Sequence, residues 1–116
     1  MPADDPFLLQ RFVDAQADGV YEQALAELRA GEKRSHWMWF IFPQHRNQGR
    51  SGTALYYGLS GPDEAAAYLA HPLLGPRLRE ATAAVRDQLA GGNSLQRLFG
   101  SVDAMKFNSS MEIFGL

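Results

Sequence analysis

Residues Trp37 to Phe42 form an unbroken run of six apolar side chains, Trp37-Met38-Trp39-Phe40-Ile41-Phe42, and no other stretch constrains the fold as strongly. The run holds both tryptophans of the chain and two of its seven phenylalanines. Burying a large apolar side chain contributes roughly 1.5–3 kcal/mol, so the six together supply on the order of 10 kcal/mol. That rivals the net stability of a whole domain, roughly 5–15 kcal/mol. Left on the surface, the run would form an aggregation-prone patch, so it must lie at the centre.

Its local conformation is open on sequence grounds. Aromatic enrichment favours a strand, and a short continuous run has no diagnostic period. Ser35 is a good N-cap, only Ile41 is β-branched, and Pro43 biases Phe42 to an extended conformation. The expectation is two helical turns over Ser35 to Phe42, with a strand as the alternative.

A chain of 116 residues is long enough for one hydrophobic core, and the expectation is a single mainly helical domain over 1–116. A net charge of −2 speaks against a generic nucleic-acid or anionic-membrane binder. No cysteine is present, so disulfide and thiolate chemistry are excluded. The acidic start Asp4-Asp5-Pro6 lacks the pattern of a signal peptide, and no stretch nears the ~18 consecutive apolar residues of a membrane span. A cytoplasmic protein is expected.

Along the chain, Asp4-Asp5-Pro6 reads as a helix entry, with Leu8, Leu9, Phe12 and Val13 at helical spacing up to about Gln16. After Asp18-Gly19 a second helix sets Tyr21, Ala24, Leu25 and Leu28 on one face and Glu22, Gln23, Glu27 and Arg29 on the other, with Gly31 as its C-cap. Gln44 to Gly52 contains no apolar residue and reads as a loop, the type of segment that carries binding residues. Thr53 to Leu59 is a helical turn or two, and Ser60-Gly61-Pro62-Asp63 fits a capping box that opens a helix ending before His71-Pro72. Leu74, Leu78, Ala81, Val85 and Leu89 give the clearest amphipathic pattern, closed by Gly91-Gly92-Asn93. Ser94 to Phe99 is a short helix or turn, and from Ser101 a last element places Ala104, Phe107, Met111 and Phe114 on one side. The fold class is all-α, a compact bundle of about six short helices around the aromatic segment.

No metal motif, phosphate-binding glycine loop or nucleophile elbow is present, so no metal or cofactor is implied. Lys33, Arg34, Gln44 and Arg46 flank the aromatic run, and with Trp37, Trp39 and Tyr57 they suit an anion carried on a flat ring. Ser35 would add helix N-terminal amides. Lys106, Ser109 and Ser110 place a cation and two hydroxyls together on the last element. His36 is the candidate general acid or base, since histidine titrates near neutrality.

Asp5-Pro6-Phe7, Arg34-Ser35-His36-Trp37-Met38-Trp39-Phe40-Ile41-Phe42-Pro43-Gln44, the segment Tyr68 to Leu78, and Lys106 with Ser109-Ser110-Met111 together resemble the bacterial domain of unknown function 1810 family. The resemblance implies a mainly α-helical cytoplasmic domain with no assigned activity. It covers Ser35, His36, Trp37, Trp39, Pro43, Gln44, Tyr57, Lys106, Ser109 and Ser110 without giving them roles. Glu112 stands where the resemblance implies a threonine, and the resemblance also implies a further helix after Phe114, which this sequence is expected to lack. The expected function is binding of a small anionic, nucleotide-like or phosphorylated ligand, with His36 the candidate should that ligand be turned over. The alternative is a non-enzymatic protein-interaction or homodimerisation module.

Overall fold

The computed structural model describes residues 4–116 as an all-α fold. The helices are α1 (Gln10–Ala15), α2 (Val20–Ala30), α3 (Met38–Ile41), α4 (Gly52–Tyr57), α5 (Pro62–Ala70), α6 (Leu74–Ala90), α7 (Leu95–Phe99) and α8 (Ser101–Phe114), with a 3-10 turn at Arg46–Gln48. Eight helices stand where about six were expected, because α3, α4 and α7 are only four to six residues long. No described helix is long and apolar enough to cross a membrane.

The long helix α6 packs on α2 and α5, and α8 packs on α5 and α7. Leu74, Leu78, Ala81 and Val85 are buried on α6, as their spacing requires, whereas Leu89 is left exposed near the helix end. On α2 the buried stripe Tyr21, Ala24, Leu25 and Leu28 matches expectation, and Gly31 caps the helix in the left-handed region. The aromatic run is central. Trp37, Met38, Ile41 and Phe42 are buried, and the Phe42 ring meets Phe99 and Phe107 edge-on at 6.0 and 5.0 Å.

The expected helix over Ser35 to Phe42 is corrected to the single turn α3, and Ser35 does not cap it. A turn this short has no stability of its own. It is held from outside: the buried Gln16 amide donates to the Phe40 carbonyl (2.8 Å) and to the Tyr68 hydroxyl (3.3 Å). Burial pushes the Tyr68 phenol up, so this hydroxyl stays protonated.

Three further expectations are corrected. Glu27 belongs to the buried set, not to the solvent face of α2. The cap of α5 is not Ser60 with Asp63: Gly61 is the N-cap, and Glu64 accepts from the Ser60 backbone and hydroxyl (2.9 and 3.0 Å). Leu8 does not join the apolar face of α1. Asp5 accepts from the Leu9 and Gln10 amides, which delays the helix start to Gln10 and leaves Leu8 at positive φ and exposed.

Candidate functional site

The segment ahead of the aromatic run is organised by one buried carboxylate. Glu27 accepts from the Arg34 amide (2.6 Å), the Ser35 amide (2.9 Å), the Ser35 hydroxyl (2.6 Å), the Trp37 indole (3.0 Å) and the Gln23 amide group (3.2 Å). Burial acts to raise its pKa, but the donors from Ser35, Arg34 and Trp37 outweigh it and hold the carboxyl at about 2. Lys33 is equally committed. Its ammonium donates to the Ser35 carbonyl (2.6 Å), pairs with Asp103 (3.0 Å) and lies 5.1 Å from the Trp37 ring centroid. Lys33, Ser35 and Trp37 therefore build the scaffold, as does Arg34 through its amide. The Arg34 guanidinium is exposed, 3.5 Å from Glu32.

Past Pro43 the chain turns out to the surface and is pinned there. The Leu59 amide donates to the Gln44 carbonyl and the Arg46 amide to the Leu59 carbonyl, both at 2.9 Å, so His45 and Leu59 form an isolated parallel bridge. Gly58 permits this approach, since a Cβ there would fall 2.4 Å from the Arg46 Cα. His45 Nδ1 accepts from the Asn47 amide (3.1 Å) at the start of the 3-10 turn. In the neutral ring that leaves the proton on Nε2, as a donor.

This pinned segment faces α8. His45, Asn47 and Gln48 form one wall of a cleft of about 350 Å³, Ser109, Glu112 and Ile113 form the other, and Pro62 of α5 closes an end. His45 also lines a narrow recess with Trp39, Gln44 and Tyr57. One turn before Ser109, the Lys106 ammonium lies 4.6 Å from the centroid of the half-buried Trp39 ring. Lys106 and Lys33 share Asp103, at 3.6 and 3.0 Å, so two cations face one carboxylate and a net positive charge remains.

Trp39, Gln44, Tyr57, Lys106 and Ser109 are thus brought to one side of the molecule. Tyr57 is held by Phe12 and Phe40, with ring centroids at 5.8 and 5.4 Å, and its phenol is raised by burial and by Tyr56. Ser110 points into the core, fully buried. His36 is exposed and lines neither the cleft nor the recess, and Arg46 lines a different groove, beside Leu55 and Tyr56. Among the described residues no cluster of three His, Asp or Glu side chains could hold a metal ion. Glu27, His45 and Glu112 carry more of this architecture than their sequence context indicated. The one available signal was the demand for a buried acceptor created by an interior Trp37 indole beside the Ser35 hydroxyl.

The family model described as a protein of unknown function, DUF1810, matches residues 6–116. The chain belongs to the DUF1810 family. A solved structure with the same fold is the conserved hypothetical protein Rv1873 from Mycobacterium tuberculosis, to which this chain is 53% identical with a TM-score of 0.90. The likeness covers 96% of this chain and 77% of that one. No curated protein matches the chain. The family is described as one of unknown function.

Proposed function

We propose that this DUF1810 domain binds a small anionic ligand carrying a flat ring, nucleotide-derived or phosphorylated, on the surface between α3 and α8. The observation that carries the reading is the Lys106 ammonium 4.6 Å over the Trp39 ring beside the cleft of His45 and Ser109. A flexible cation over an aromatic ring offers one ligand a counter-charge and, once the Lys106 side chain swings out to meet the anion, the ring face it covers as a stacking surface. In this account Lys106 meets the anion, Trp39 stacks on the ring, and Gln44, the His45 Nε2 proton and the Ser109 hydroxyl hydrogen-bond to polar atoms. Glu112 accepts from a ligand hydroxyl or amine, which favours a sugar-bearing anion over bare phosphate. The role is binding; His36, away from the cleft, takes no part in it. Such ligands are cytoplasmic metabolites, and the cytoplasm is the compartment the proposal implies.

Thermal unfolding against a panel of nucleotides and phosphorylated metabolites tests this. A ligand at about 100 times its dissociation constant adds roughly 2.7 kcal/mol of stability. The expected result is a rise in melting temperature with at least one sugar-bearing anion, reduced in Lys106→Met and retained in Arg46→Ala, whose side chain lines the other groove. A panel without any shift, or a shift that Lys106→Met leaves intact, overturns the proposal.

A further inference from the structure

Three large apolar side chains that the fold leaves exposed, Leu8 (68%), Leu55 (48%) and Tyr56 (59%), line a single groove of about 380 Å³. The way they are held separates this from scattered exposure, which is ordinary on any protein surface. The Arg11 guanidinium donates to the backbone carbonyls of Phe7, Leu8, Tyr56 and Gly58, and pairs with the buried Glu64 at 2.7 Å. One cation therefore fixes both chain segments that present Leu8 and Tyr56. Leu8 has φ +55°, a left-handed conformation disfavoured for a side chain of this type, and most of it stays exposed. Strain combined with apolar exposure at one rigid position is a mark of a recognition surface.

Charge narrows the partner. Arg11 is neutralised by Glu64, but Arg46, at the groove edge, is exposed and has no carboxylate within 4 Å among the described residues. The groove is thus apolar with one unpaired cation, Arg46, at its edge, on a chain of net charge −2. We infer that it docks a segment of a partner protein in which apolar side chains alternate with carboxylates. Of the three exposed side chains Tyr56 alone could stack on a base, and a single unpaired cation at the edge is too little charge to hold a phosphate backbone. A second copy, packed isologously, would bring Arg46 to a groove in which Glu64, the one lining acid among the described residues, is already paired.

The test follows the backbone amides of Leu8, Arg46, Leu55 and Tyr56 by NMR during titration with three probes. These are a hexapeptide of alternating glutamate and leucine, its lysine–leucine counterpart, and a ten-nucleotide oligouridylate. The acidic peptide is expected to move these resonances, with the basic peptide about tenfold weaker, since charge complementarity sets the preference. Arg46→Glu, an exposed change that should keep the parent melting temperature, is expected to reverse the preference. Leu55→Ser, also exposed, is expected to weaken binding of the acidic peptide severalfold. Resonances unmoved by the acidic peptide, or moved equally in Arg46→Glu, overturn the inference. So does binding of the oligouridylate alone, or sedimentation showing that a second copy covers the patch.

Discussion

Replacing Glu27 with glutamine keeps the size of the side chain but removes the charge and one acceptor oxygen from a site where five donors converge. The glutamine NH2 would meet N–H and O–H donors head-on, leaving two or three of them unsatisfied. Hydrogen bonds to charged groups contribute about 1.5–3 kcal/mol each, and the pKa gives a second route to the magnitude. A carboxyl held at about 2 against an ordinary 4.5 corresponds to about 3 kcal/mol of stability, since one pKa unit is about 1.4 kcal/mol. Glu27→Gln should therefore cost about 3 kcal/mol at pH 7, on the order of 10 °C in melting temperature for a domain of this size. The pH dependence has a definite sign. Between about 2 and 4.5 the unfolded chain binds the proton more readily than the folded one, so the contribution is complete above pH 4.5 and is lost as pH falls towards 2. Urea unfolding of parent and variant at pH 7, 4 and 2.5 should show the gap between them narrowing as the pH falls. A variant within 1 kcal/mol of the parent at pH 7, or a gap independent of pH, would refute the view that Glu27 organises residues 34–37.

Other expectations concern packing and the second buried pair. Arg11→Met should cost about 3 kcal/mol in urea unfolding by leaving Glu64 buried without its cation, and the double variant with Glu64→Gln should recover part of that loss. Gly75→Ala should destabilise by about 1–3 kcal/mol, because its Cβ would lie 2.1 Å from the Leu69 carbonyl where α5 meets α6. Gly52→Ala, on α4 with nothing within 4 Å, should instead stabilise by about 0.5 kcal/mol; thermal unfolding of both variants gives opposite signs if the packing is as described.

The helical faces of α2 and α6 were legible because each shows its apolar stripe within a few turns of local sequence, and Gly31 marks its own cap. Ser35 shows where local reading fails. Its hydroxyl is a good N-cap in isolation, yet Glu27, eight residues upstream, takes it, and the expected two-turn helix shrinks to Met38–Ile41. Glu27 and Glu64 both occupy positions that look solvent-facing by helical period. Their burial follows from partners outside their own helices, in the chain after α2 and in Arg11, 53 residues upstream of Glu64, which periodicity does not encode. For the candidate site, sequence grouped Trp39, Gln44, Lys106 and Ser109 with Lys33 and Ser35 by residue type alone. It could not distinguish them from Lys33 and Ser35, because free and committed polar groups look the same until their neighbours are placed.

The two indole N–H resonances offer the most direct test of the proposed ligand surface. Trp37 donates to Glu27 within the core, whereas the half-buried Trp39 lies beneath Lys106 at the surface, so one signal reports on the scaffold and the other on the site. Titrating the protein with a nucleoside monophosphate and following both resonances should move the Trp39 signal, by ring stacking, and leave the Trp37 signal in place. A Trp39 resonance unmoved at millimolar ligand, or movement of Trp37 alone, would contradict an anion-and-ring site between α3 and α8.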